Sequence, residues 1–254
     1  MKRFLSILLL LLSVNLFSQS KINYIKVSQQ LLQNIKEKKP YHDQVAILAK
    51  STLKELENEL KTDPQKIAFW LNVYNGFIQI YLSKKPTLYK ERGTFFSEKQ
   101  IRIAGELLSF ADIEHGIIRK SKVELGLGYL RKWFPPKYEQ KLRVTNLDWR
   151  IHFALNCGAK DCPPIAIYSP ENLEQALNFM TTSYLKEQTT YNPKTKTTMS
   201  VSLFSWFRGD FGGVSGALKI LKTYRIVPKE AKELDFKEYK WALSLGNFRT
   251  RTNK

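Results

Sequence analysis

The segment DPQKIAFWLNVYNGFIQIYL, residues 63–82, constrains the fold more than any other part of this chain. Asp63 at the expected N-cap and a proline at the first helical position predict a helix that begins sharply. This helix is apolar almost all round, and such a helix is stable only when other elements cover every face. The rest of the chain is therefore expected to build a domain around it.

The segments on either side of this helix predict an α+β domain. Apolar residues recur at helical spacing before residue 63, whereas later segments mix strand-like alternation with further helices. We expect the helical N-terminal part to pack on a small mixed or antiparallel sheet. Four segments are predicted as strands: a hairpin around Gly105, RIHFALN (150–156), TTMSVSLF (197–204) and YKWALSL (239–245). Two are predicted as later helices: SPENLEQALNFMTTSYL (169–185), with Ser169 as its N-cap, and GALKILKTY (216–224).

The first residues predict export. A short basic region, a leucine-rich stretch and small or polar residues follow one another in residues 1–18, as in a secretory signal peptide. The mature protein is then expected to be periplasmic or secreted, with no transmembrane segment after the signal peptide is removed. Behind it we predict a helical region at 19–62, one main domain at 63–248 and a basic tail at 249–254.

The chain is strongly basic, with a formal net charge of +18. Its lysines are spread through every segment, whereas a nucleic-acid groove normally concentrates its charge. Nucleic acid is therefore a disfavoured partner, and an exported protein meets little of it. A peptide or an anionic cell-envelope polymer is the expected partner.

The buried helix carries Asn72 and Asn75, which lie three residues apart and hence on one face. Amides inside an apolar core require hydrogen-bond partners. One interpretation is structural, with both side chains holding the backbone of a neighbouring loop. The other is that they bind a substrate amide or orient a catalytic group.

A second candidate segment is DIEHGIIR, which places Glu114, His115 and Arg119 on a short helix. Ser109 and Asp112 resemble a capping pair at its start. Arg119 lies one turn from His115 and is expected to lower its pKa if the two are close. Glu114 points about 100° away from His115 around an α-helix, so the acid and the imidazole need not touch.

The segment RIHFALNCGAKDCPP holds His152, Asn156, Cys157 and Cys162. A structural disulfide between the two cysteines is one interpretation, because export favours oxidation and four intervening residues can turn back. The alternative is a Cys157 nucleophile with His115 as the base, since a straight strand would face His152 away from Cys157. Asn156 or Asn72 would then supply an amide to a developing oxyanion. No zinc-binding pattern is present, and we predict neither a metal nor a cofactor.

Five segments resemble one family in sequence and in order. They are FWLNVYNGF, DIEHGIIR, RIHFALNCGAKDCPPI, LFSWFRGDF and YKWALSL, and together they span roughly residues 60–246. The chain is similar to family 547 of the domains of unknown function, and the resemblance implies a set of polar positions rather than a reaction. Asp161 and the last segment, where Lys240 and Ser244 replace an acid and an amide, depart from the family pattern.

Two functions are compatible with these residues. The first is a thiol hydrolase or acyl transferase that acts on amide or ester bonds, with a loose likeness to papain-type or transglutaminase-type enzymes. The second is a non-catalytic binding module for a peptide or envelope polymer, with the two cysteines in a disulfide. Both require a polar cleft formed by the buried helix, the Glu-His helix and the cysteine segment.

Overall fold

The computed structural model of the protein describes residues 22–250. The predicted signal peptide at residues 1–18 and most of the predicted basic tail lie outside the described residues. Within 22–250 no helix is long and apolar enough to cross a membrane.

The N-terminal part is helical, as predicted. It consists of α1 (Tyr24–Lys36), α2 (His42–Lys50), α3 (Leu53–Glu59) and α4 (Asp63–Lys84). Helix α4 is capped by Thr62 and not by Asp63, because Thr62 and Gln65 form a reciprocal capping box. The expected start was therefore one residue too late.

Helix α4 is the centre of the larger hydrophobic core. Nearly every side chain from Lys66 to Leu82 is buried, including Trp70, Asn72 and Asn75. Helix α1 packs along α4, and Gly76 provides the close approach because an added Cβ would lie 3.2 Å from Leu31. The prediction that this helix is covered on every face is confirmed.

The middle of the chain alternates short helices and turns with one hairpin. Strands β1 (Ile101–Ile103) and β2 (Glu106–Leu108) pair antiparallel, with a positive φ at Gly105 in the turn. The predicted hairpin is therefore confirmed. The remaining elements are a 3₁₀ segment Pro86–Glu91, α5 (Arg92–Ser97), a π-helical segment Asp112–Ile118, a 3₁₀ turn Glu124–Gly126 and α6 (Lys137–Leu142).

The prediction of a strand at 150–156 is wrong. Residues Trp149–Phe153 form a 3₁₀ helix with Asp148 as its N-cap, and the Asp148 side chain accepts from the Arg150 backbone N–H. Ile151 and Phe153 are buried, but so are His152, Ala154 and Asn156, so the segment has no exposed face. A strand needs a neighbouring strand for its backbone hydrogen bonds, and an alternating pattern does not show whether one is present.

The C-terminal part encloses a second, smaller core around Phe153, Phe204 and Phe211. Its elements are α7 (Leu173–Gln188), β3 (Thr190–Asn192), β4 (Thr197–Ser200), α8 (Leu203–Trp206), α9 (Gly213–Thr223) and β5 (Glu233–Phe236). Strand β4 pairs antiparallel with β3 and parallel with β5. Helices and these small sheets together make the α+β fold that the sequence predicts.

Three details of this part differ from expectation. Helix α7 is capped at Asn172 and not at Ser169, and the predicted strand at 197–204 ends at Ser200. The segment 239–245 forms no strand and makes a single bridge, between Leu243 and Ala159. Its backbone instead bonds the cysteine loop, since the Lys160 and Ser244 N–H groups donate to Ala242 and Gly158.

Candidate functional site

A cavity of about 370 Å³ lies between the two cores. It is bounded by α4, the π-helical segment, the 3₁₀ turn at 124–126, the cysteine segment, α8 and the C-terminal segment 239–241. Most of its wall is aromatic or aliphatic. The polar or sulfur-bearing side chains that line it are Tyr74, Glu114, His115, Glu124, His152, Cys157, Cys162 and Tyr239.

The π-helical segment presents Glu114 and His115 to this cavity. Ser109 and Asp112 exchange hydrogen bonds at its start, as predicted, and the Arg119 N–H donates to the Glu114 carbonyl five residues back. The wider turn of a π-helix is often found at functional sites. Oε1 of Glu114 comes within 3.8 Å of Nδ1 of His115, so the acid and the imidazole are neighbours after all.

Behind the cavity, four buried side chains form one charged network. Arg119 donates to Nδ1 of His115 at 2.7 Å and to Oδ2 of Asp210 at 2.7 Å. Nε2 of His152 donates to the same Asp210 oxygen at 2.9 Å. The guanidinium also lies over the Phe207 ring, 4.5 Å from its centroid. Asp210 therefore neutralises the charge of Arg119 inside the protein.

This network assigns the imidazole protons. A guanidinium can only donate, so Nδ1 of His115 accepts and the proton of the neutral ring lies on Nε2. An ionised carboxylate can only accept, so His152 carries its proton on Nε2 and leaves Nδ1 as the acceptor. His115 consequently has no nitrogen that can accept a proton from a thiol, which does not fit its predicted role as the base. His152, held by Asp210, has such a nitrogen.

The pKa values of these groups are set mainly by burial. Burial and then the Arg119 charge lower the pKa of His115 to about 4. Burial also lowers the pKa of His152, although the Asp210 hydrogen bond opposes it. Burial raises the pKa of Glu114, against the charge of Arg119. Both imidazoles are therefore neutral near pH 7, and Glu114 is easier to protonate than an exposed glutamate.

Asp210 is the ionised member of the network. Burial alone would raise its pKa, but the His152 hydrogen bond and the Arg119 charge together lower it. Lys122 adds a second cation, 3.8 Å from Oδ1. Asp210 therefore faces two cations with one negative charge, and the group of Arg119, Lys122 and Asp210 keeps a net positive charge while Lys122 is protonated.

Cys157 and Cys162 form a disulfide in the wall of the cavity. Their Cα atoms lie 6.3 Å apart, and Gly158, with φ of +88°, allows the chain to turn immediately after Cys157. The Tyr239 hydroxyl lies 3.1 Å from Sγ of Cys162. A disulfide sulfur is neither a nucleophile nor a metal ligand in the way a thiolate is, so in this state the loop is a covalent part of the wall.

The three predicted asparagines do not reach the cavity. Asn72 bonds both backbone groups of Tyr168, and Asn75 bonds the Ala154 carbonyl and the Asn156 N–H. The Asn156 amide donates to the Pro163 carbonyl. Their amides are therefore occupied in fixing the cysteine segment against α4, as the structural interpretation predicts. A role for Asn156 or Asn72 as oxyanion donor does not fit these contacts.

A family model described as "Protein of unknown function, DUF547" matches residues 58–185. The chain belongs to the DUF547 family. No curated protein and no solved structure matches it. The likeness to papain-type or transglutaminase-type folds therefore stays a prediction.

The family match covers one side of the cavity. Tyr74, the Glu-His pair, His152 and both cysteines lie in the DUF547 segment, whereas Asp210, α8 and Tyr239 follow it in the chain. Asp210 is the main residue that sequence reasoning missed. In the sequence Asp210 is visible as a single acid within the aromatic segment LFSWFRGDF. A lone acid in such a segment is hard to interpret until its buried partner, Arg119, is known.

The DUF547 chain offers no evident metal centre in its described part. Within residues 22–250 no group of three or more His, Cys, Asp or Glu side chains is arranged to hold a metal ion. The polar groups that remain at the cavity are suited to hydrogen bonding and proton transfer.

Proposed function

We propose that this protein is a binding module whose cavity takes up an apolar or aromatic group of a peptide or cell-envelope polymer. The observation that carries the proposal is the pairing of an apolar, aromatic wall with a few convergent polar groups. That combination is typical of pockets for small ligands or for single side chains. The disulfide then serves to hold the wall in place.

The polar groups favour a neutral hydrogen-bonding group on the ligand. Neither Arg119 nor Lys122 lines the cavity, so this network presents no cation to a ligand there. Glu114, whose pKa burial raises, would repel an anion when ionised and can donate a hydrogen bond when protonated. An amide, ester or hydroxyl group beside the apolar group fits these donors and acceptors best.

The test is to fill the cavity with a side chain. Ala111, half-buried, lines the cavity, and Ala176, also half-buried, lies on α7 outside it. The probes are aromatic dipeptides that are N-acetylated, amidated and free of tryptophan. We expect Ala111→Phe to weaken their binding at least about tenfold. Ala176→Phe should leave their affinity unchanged. Trp206 and Trp241 stack in the cavity wall with their ring centroids 5.4 Å apart, so quenching of their fluorescence reports whether a ligand occupies the cavity. Equal affinities for the wild type and Ala111→Phe would overturn the proposal.

A second candidate function is acyl hydrolysis or transfer by the reduced protein. It is favoured by one observation, namely that Cys157 and the Asp210-bound His152 line the same cavity. A dithiol would first reduce the disulfide by two electrons. The Cys157 thiol would then lose its proton to Nδ1 of His152 and attack an ester or amide carbonyl, and the leaving group would take that proton as its bond to the carbonyl carbon breaks. Water or another acceptor would next displace Cys157 from the acyl group, and its proton would return to the sulfur through His152.

The two cysteines supply matched variants for this candidate. Both Cys157→Ser and Cys162→Ser abolish the disulfide, but only Cys162→Ser keeps the Cys157 thiol. We expect Cys162→Ser to hydrolyse p-nitrophenyl butyrate without reductant, the wild type only after dithiol treatment, and Cys157→Ser at the buffer rate. Inactivity of Cys162→Ser on a panel of esters and amides would exclude the catalytic candidate, and binding would be the one function still proposed.

A further inference from the structure

The hairpin that spans residues 121–134 carries an unusual concentration of exposed apolar side chains. Among the described residues, every large hydrophobic side chain more than half exposed lies here. They are Leu125 (90%), Tyr129 (58%), Leu130 (61%), Trp133 (89%) and Phe134 (92%). Contiguous apolar surface of this kind marks an interaction site, whereas single exposed hydrophobic residues do not.

This exposure belongs to an ordered structure. The Val123 N–H donates to the Leu130 carbonyl at 3.0 Å, and the Lys132 N–H donates to the Ser121 carbonyl at 2.8 Å. The Gly209 N–H holds the tip through the Leu127 carbonyl at 2.8 Å. Because both arms and the tip are hydrogen-bonded, Leu125, Tyr129 and Leu130 cannot fold back onto the core without breaking these contacts.

Cations accompany the apolar side chains. Arg131 precedes Trp133 within the hairpin, Lys137 follows Phe134 closely, and both are exposed. Lys132 is partly matched by the buried Glu139, at 2.7 Å. The whole chain carries a formal net charge of +18, so the protein that presents this surface attracts anionic partners. Aromatic side chains beside exposed Arg and Lys are the composition that favours a membrane–water interface.

We propose that the hairpin docks the protein on the surface of an anionic phospholipid bilayer. Trp133, Phe134 and Leu125 insert among the headgroups, while Arg131 and Lys137 contact lipid phosphates. A second copy of the chain is a poorer occupant, because an isologous contact would bring the same cations together. The proposal does not depend on the cavity having a ligand.

The hairpin also borders the cavity described above. Glu124, Leu125 and Leu127 line the cavity as well as the hairpin surface. A protein docked through Trp133 and Phe134 therefore holds the cavity close to the bilayer. Amphiphilic envelope molecules are then the ligands it meets at the highest local concentration.

The test is co-sedimentation of the full chain with vesicles. We expect binding to vesicles of phosphatidylcholine with phosphatidylglycerol, weaker binding at high salt, and little binding to phosphatidylcholine alone. Trp133→Ser/Phe134→Ser should reduce the partition coefficient at least about tenfold. Arg131→Gln/Lys137→Gln should reduce it on anionic vesicles only.

Matched controls remove the same number of groups elsewhere. Leu107→Ser/Val214→Ser removes two exposed apolar side chains, and Lys219→Gln/Lys229→Gln removes two exposed cations. All variants keep residues 1–21, so any contribution of that segment is constant. Equal partitioning of the wild type and Trp133→Ser/Phe134→Ser would overturn the proposal. It would also be overturned if the wild type formed dimers that this variant abolishes and bound no vesicles.

Discussion

His115 and His152 are buried as neutral rings beside a cation, and this costs stability when the pH falls. A histidine whose pKa is lower in the folded than in the unfolded protein binds fewer protons when folded. Its contribution to stability is therefore complete above the unfolded pKa and is lost as the pH falls towards the folded pKa. Glu114, with its raised pKa, acts in the opposite direction and offsets part of the loss.

The prediction at the scale of the residue concerns His115. With the pKa of His115 lowered to about 4, we expect the wild type to lose about 2 kcal/mol of unfolding free energy between pH 7 and pH 5 from this ring. In His115→Asn the amide oxygen can accept from Arg119 in place of Nδ1, but the side chain does not titrate. The variant should therefore lose clearly less unfolding free energy between pH 7 and pH 5. Urea denaturation at several pH values measures both.

At the scale of the element, α4 acts as a polar template inside an apolar core. Asn72, Asn75 and Gln79 recur along it and bond backbone groups of residues far away in the chain, up to Gly246. Each amide supplies a hydrogen-bond partner to the backbone of a segment that no neighbouring strand pairs with. This explains why an amphipathic surface helix could not take its place.

We expect Asn75→Leu to destabilise the protein by about 2–4 kcal/mol, because it leaves the Ala154 carbonyl and the Asn156 N–H without partners. Gln79→Leu is the matched comparison. It removes one bond, to the Gly246 N–H, and also removes an amide nitrogen that has no partner. Its cost should be clearly lower. Similar unfolding free energies for the two variants would contradict the template role of α4.

At the scale of the whole molecule, the Arg119–Asp210 ion pair joins the two halves. Arg119 follows the π-helical segment, which packs on the larger core, and Asp210 precedes Phe211 of the smaller core. Both side chains are fully buried. A buried charge without its partner is much more costly than the pair, so the two halves are coupled through this contact.

Asp210→Asn should therefore destabilise the protein by about 3 kcal/mol or more, since it leaves the Arg119 charge uncompensated. In Arg119→Met/Asp210→Asn the Arg119 charge is removed together with its partner, and Lys122 still donates to the Gly128 carbonyl. We expect this double variant to cost clearly less than the sum of the two single variants in chemical denaturation. Additive costs would show that the pair does not couple the two halves.

Hydrophobic periodicity was sufficient for the helices of the N-terminal part and for the burial of α4. It was also sufficient for the hairpin at Gly105, where a turn residue separates two short apolar runs. It failed at RIHFALN and YKWALSL, and it missed β5. A strand is defined by where its backbone hydrogen bonds go, and an alternating pattern does not contain that information. In RIHFALN even the polar His152 and Asn156 are buried.

The sequence by itself determined which segments carry unusual polar residues, because a histidine, a cysteine pair or an amide in an apolar context is visible locally. Only the tertiary structure decided their partners. In the structure His152 binds the Asp210 carboxylate, and Nδ1 of His115 accepts from Arg119. The asparagine side chains are hydrogen-bonded to backbone groups. The physical reason is that burial and charge pairing act between residues up to about ninety positions apart, and no local pattern records such contacts.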